Sequence, residues 1–145
     1  MKKKLLFLTG TRADFGKIKS LIEISRNHPD FEVHIFATGM HVHEKYGLTV
    51  REIEKSGFHN IQTYQNFDGE ESMDEILANT IHGLSTYIKS LNPDMMVIHG
   101  DRVEALAGAI VGSLNNIFVA HIEGGEVSGT IDELIRHSVS KLSHF

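Results

Sequence analysis

Short apolar runs alternate with segments of helical spacing along this chain, and no other feature constrains its fold as tightly. The runs cover residues 4–9, 32–38, 61–65, 95–99 and 117–122, each bounded by Gly, Asn or Asp. The third is polar and alternating, which suits an edge strand. Between them, helices are expected over about 16–27, 47–55, 73–91, 103–114 and 131–142. In the 73–91 segment, Met73, Ile76, Leu77, Thr80, Ile81, Leu84, Ile88 and Leu91 form one stripe before Pro93. Strands alternating with helices imply an α/β fold with a doubly wound parallel sheet of Rossmann-like type. Ligands of such sheets bind beyond the carboxyl ends of the strands, where strand order reverses.

At 145 residues and 41% apolar, the chain can bury one core, and one domain is expected. A formal charge of −5 without a Lys/Arg-rich face argues against a nucleic-acid partner. Phosphorylated small molecules remain open, because a few arginines and helix N-termini bind them at any net charge. There is no cysteine, hence no disulfide framework and no thiolate metal site. The apolar run in MKKKLLFLTG is too short for a signal peptide and reads as a first buried strand. No stretch reaches the roughly 20 apolar residues of a membrane span, so no membrane partner and a cytoplasmic location are expected.

Polar motifs follow the first, fourth and fifth runs. TGTRADFGK is a glycine-containing turn into a helix, with Thr11 or Asp14 as the N-cap; it is not G-x-G-x-x-G and gives a dinucleotide no support. Arg12 there lies beside free helix N–H groups, a place suited to a diphosphate. In HGDR, His99 and Asp101 share strand parity, as do His121 and Glu123 in HIEGGE, so the polar pairs converge at one end of the sheet. These four could instead hold a metal in a hydrolase, but no H-E-x-x-H or similar ligand spacing occurs and Arg102 would sit beside the cation. His28, His59, His82 and His144 are read as surface residues. Asp132 and Arg136 share a face of the last helix, and Asp132 and Glu133 suit its N-terminus.

TGTRADFGK, GMHVHEKYG, IHGDR and HIEGGEVSGTIDELIRH, in this order, closely resemble the N-terminal half of UDP-N-acetylglucosamine 2-epimerases. The last motif resembles the hydrolysing branch, which serves sialic-acid, bacillosamine and legionaminate-type sugars. The resemblance implies a GT-B fold with a UDP-sugar between two Rossmann-like halves. It implies anti elimination of UDP to a 2-acetamidoglucal, then addition of water to give the free 2-epimer, N-acetylmannosamine or a diacetamido analogue, with no cofactor. Carried over by position, Asp101, Glu123 and Asp132 form the acid/base set, with their individual roles open. Arg12 contacts the diphosphate, His41 lies near the substrate, and Arg102 and Arg136 orient carboxylates or bind phosphate. Gly124, Gly125, Glu133 and His137 complete the substrate side, and His99 and His121 become supporting residues rather than metal ligands. Residues 1–145 would then be the N-terminal domain, lacking the C-terminal one, so the chain by itself is expected to be a partial enzyme. A homo-oligomer is expected for the full-length protein. A non-hydrolysing epimerase and a non-catalytic binding module stay open beside the hydrolysing enzyme.

Overall fold

The computed structural model describes residues 1–44, 47–122 and 131–145. Five parallel strands form one sheet: β1 (Lys3–Thr9), β2 (Phe31–Ala37), β3 (Ile61–Thr63), β4 (Met95–His99) and β5 (Phe118–Ile122). Their order is β3-β2-β1-β4-β5, so the chain winds outward from β1 in one direction, then returns to its other side. The turns that leave β1 and β4 therefore diverge, and a crevice opens between them.

β1 runs through the centre, and Leu5 to Thr9 are all buried, as expected for a parallel strand covered on both faces. Its side chains alternate between two cores. Leu5 and Phe7 join Phe15, Ile18 and Ile22 of helix α1 (Arg12–Arg26) and Ile53 of α2 (Val50–Lys55). Leu6 and Leu8 join Leu84 and Ile88 of α3 (Met73–Leu91), Ala105 and Ala109 of α4 (Val103–Leu114), and Ile135 and Val139 of α5 (Ile131–Leu142). Each of these larger apolar side chains contributes about 1.5–3 kcal/mol when fully buried. Helices thus cover both faces, and the doubly wound α/β architecture is present.

The last three helices have the expected bounds, and β3 is a three-residue edge strand. The differences have local causes. α1 begins a turn earlier than residue 16, because Thr11 and Asp14 form a reciprocal capping box that starts the helix before its apolar stripe does. α2 begins at Val50 rather than residue 47, since Gly47 and Leu48 both have positive φ. A 3-10 turn, Gly39–Val42, follows β2 where no element was expected. Met73 is exposed despite its place in the α3 stripe, for it lies in the first turn, beyond the sheet's cover. Among the described residues, no helix is long and apolar enough to cross a membrane.

Candidate active site

A cleft of about 420 Å³ lies at the carboxyl ends of β1 and β4. Its walls are Thr11, Ala13, Asp14 and Lys17 at the α1 start, Met40, His99 at the end of β4 with Gly100 to Arg102 after it, and Asp132 on α5. Three carboxylates and two cations thus face one space at the point where strand order reverses.

Asp101 is held from behind. Arg136, whose side chain is only 8% exposed, donates from Nη2 to Asp101 Oδ2 at 2.7 Å. The pair spans α5 and the β4–α4 turn, and its charge-assisted geometry fixes one rotamer of Asp101. His121 braces the same turn: its Nε2 is 2.8 Å from the Gly100 carbonyl and its Nδ1 is 2.9 Å from Ser140 Oγ. A carbonyl only accepts, so Nε2 carries the proton and Nδ1 accepts from Ser140. Burial lowers the His121 pKa, with the positive charge of Arg136 acting in the same direction and the Gly100 hydrogen bond opposing. Both ring nitrogens of His121 are thus engaged within the protein.

The turn after β1 has a second brace. Thr9 donates its hydroxyl proton toward Asp14 and the Thr11 carbonyl, so its oxygen accepts from His41 Nε2 at 2.8 Å. Thr49 then donates to His41 Nδ1 at 2.9 Å. Asp14 also accepts from the amides of Gly10 at 3.1 Å and Thr11 at 3.2 Å. Burial raises the Asp14 pKa, opposed by the hydrogen bonds from Thr9 and Gly10. Burial likewise depresses His41, to about 4, and the ring is neutral at physiological pH.

The expected site residues therefore separate. Asp101, Arg102 and Asp132 line the cleft, and Arg136 stands behind Asp101. His41 is fully buried below the cleft floor, with its polar atoms on Thr9 and Thr49. Arg12 lies outside the cleft wall, 71% exposed, in an ion pair with Glu52 at 2.9 Å. Glu133 and His137 pair with each other along α5 at 3.3 Å. Glu123, Gly124 and Gly125 lie outside the described residues.

Lys17 and Asp14 face the cleft without having been singled out for it, although their spacing of three on one helix was a usable signal. Buried Asn66 and Glu104 were also missed. Asn66 accepts from the Gly39 amide at 3.0 Å, in a turn that only glycine fits, since Gly39 has φ +62° and a Cβ would lie 2.7 Å from the Gly10 carbonyl oxygen.

A doubly wound sheet with a polar cleft at its switch point defines a Rossmann-like domain. The family model described as UDP-N-acetylglucosamine 2-epimerase matches residues 23–145, and the chain belongs to that family. It is 51% identical over 142 residues to a UDP-N-acetylglucosamine 2-epimerase of Neisseria meningitidis serogroup B, covering 98% of this chain and 38% of the relative. It is 37% identical to a hydrolysing UDP-N,N'-diacetylbacillosamine 2-epimerase of Legionella pneumophila, covering 100% of this chain and 39% of that one. The chain therefore spans under two-fifths of the length of these relatives. Among solved structures, UDP-GlcNAc 2-epimerase of Methanocaldococcus jannaschii in complex with UDP-GlcNAc and UDP superposes with a TM-score of 0.83 at 26% identity, covering 98% of this chain and 39% of that one. The architecture is that of one half of a GT-B fold.

Proposed function

We propose that this chain supplies the N-terminal half of a hydrolysing UDP-sugar 2-epimerase. One observation carries the reading: at the switch point, Asp101 and Asp132 share a cleft with Lys17 and Arg102, and buried Arg136 fixes Asp101 from behind. Removing the weakly acidic C2 proton needs a fixed carboxylate, and departure of a diphosphate needs cations and helix N–H groups aimed at the developing charge. In the first step a base takes the C2 proton, the C1–O bond to the diphosphate breaks, and the C1–C2 double bond of the glucal forms. In the second, water adds its oxygen to C1 and a proton returns to C2 from the opposite face. Asp101, Glu123 and Asp132 are the proton-transfer groups of this reading, and no cofactor is required.

Arg102, Lys17 and the N-terminus of α1 receive the diphosphate, and Arg12 reaches it by leaving Glu52 when ligand arrives. His41 acts from beneath, by holding Thr9 and Asp14. Gly124, Gly125, Glu133 and His137 stand on the sugar side. The second half of the cleft, with the uridine contacts, comes from a further domain. The hydrolysing branch is favoured by GEVSGTIDELIRH and by the hydrolysing Legionella relative at 37% identity. A plain epimerase is the second reading, since the Neisseria relative carries that name.

The test is UDP release from UDP-N-acetylglucosamine and UDP-diacetamido sugars by full-length protein, with the sugar product identified. Free 2-epimer is expected, whereas an epimerised UDP-sugar would select the plain branch. Asp101→Asn is expected to lower kcat by roughly 10²-fold or more. Unchanged UDP release in that variant would remove Asp101 from the chemistry.

A further inference from the structure

Glu104 is a buried carboxylate that the proton-transfer steps leave without a task. It stands in the first turn of α4, where an acidic side chain ordinarily turns to solvent, yet its side chain is only 3% exposed. Its Oε1 accepts from Arg102 Nε at 3.1 Å, and its Oε2 accepts from Asn66 Nδ2 at 3.0 Å. A Cβ on Gly10 would sit 3.3 Å from Glu104 Cγ and Oε1, so the β1 turn packs directly on the carboxylate.

Asn66 is equally committed. Its Nδ2 also donates to Thr80 Oγ1 at 2.8 Å, while the Thr80 proton goes to the Ile76 carbonyl at 2.7 Å. With Oδ1 taken by the Gly39 amide, the amide group has one possible orientation. The carboxylate is therefore gripped by an amide fixed at both ends, and its position is set by α3, α4 and both turns beside the cleft.

A buried carboxylate is tolerated when it is paired and hydrogen-bonded, and Arg102 is its cation. Arg102 also lines the cleft, with a side chain 42% exposed. The pairing occupies Nε and leaves the two terminal NH2 groups as donors. A free arginine side chain loses rotamer entropy when it grips a ligand, and one already held at Nε has lost most of it beforehand.

We propose that Glu104 is a positioning residue for Arg102: gripped by Asn66, it holds the guanidinium so that its terminal NH2 groups meet the departing diphosphate. This rests on reading the cleft as a UDP-sugar site.

The test uses full-length protein and UDP release. Glu104→Gln is expected to lower kcat by roughly 10²-fold with a smaller change in KM. Combining it with Arg102→Ala should add less than about twofold to the loss from Arg102→Ala alone, because Glu104 acts through Arg102. Guanidinium ion added to Arg102→Ala should restore turnover, and should fail to do so in the double variant. Multiplying losses, or equal rescue in both backgrounds, would overturn the proposal. Arg102→Lys leaves Glu104 a cation but lacks the fork, and is expected to be as impaired as Arg102→Ala; near-normal kcat in it would also overturn the idea. If wild-type protein releases no UDP, the functional reading fails by itself. The pairing is then judged by exchange of the Arg102 Nε–H in ¹⁵N–¹H spectra, expected to be slow in wild type and faster in Glu104→Gln, and overturned by fast exchange in wild type.

Discussion

His41 binds a proton less readily in the folded chain than in the unfolded one, because burial depresses its pKa to about 4. Stability from this group is fully present above the unfolded value near 6.5 and is lost as pH falls from there through about 4. Between pH 7 and pH 5 the loss amounts to about 2 kcal/mol. His121, shifted in the same direction, adds to it, while Asp14, shifted upward, opposes it. Urea unfolding at the two pH values is expected to show a fall that His41→Gln flattens; equal falls in both proteins would refute the neutral, buried assignment. Removing Arg136 tests the other brace. Arg136→Leu leaves Asp101 without its 2.7 Å partner and is expected to cost about 2 kcal/mol, less than the roughly 3–5 kcal/mol of a fully buried pair because Asp101 is partly exposed. Thermal unfolding reads it. Asp101, Arg102 and Asp132 were legible as cleft residues because strand ends and helix starts are local features. Asn66 and Glu104 were not: a lone Asn in a loop and a Glu in a first turn look solvated until the tertiary fold covers them.

At the scale of elements, the start of α1 shows local chemistry overriding apolar periodicity. Thr11 Oγ1 accepts from the Asp14 amide at 3.1 Å, and the Asp14 carboxylate accepts from the Thr11 amide at 3.2 Å. Thr11→Ala removes one half of this box and is expected to cost about 1 kcal/mol in equilibrium unfolding. It also loosens the turn that carries Ala13, Asp14 and Lys17 into the cleft, so KM should rise with the loss of stability. Helices α3, α4 and α5 were legible in sequence as apolar-rich segments, and α3 most clearly, because it carries one sustained apolar stripe that ends before Pro93. The 3-10 turn at Gly39–Val42 was not, since it exists only because Gly39 takes a left-handed φ against the β1 turn.

For the whole molecule, the open cleft and the coverage of under two-fifths of its relatives lead to one expectation. On the proposed function, the 145-residue chain by itself should release no measurable UDP from a UDP-sugar and the full-length protein should; turnover by the isolated chain would show that this half suffices. The strand-helix alternation determined the fold class, because each parallel strand must be covered on both faces and a helix crossover is the short way to do so. Four ordered motifs likewise determined the family. What the tertiary structure alone decided is which polar residues meet. Arg136 reaches Asp101 across 35 positions and Asn66 reaches Glu104 across 38, and both pairings depend on helices from different parts of the chain packing on one face of the sheet. Periodicity reports which face of an element is buried; what that face meets is settled only when the elements pack.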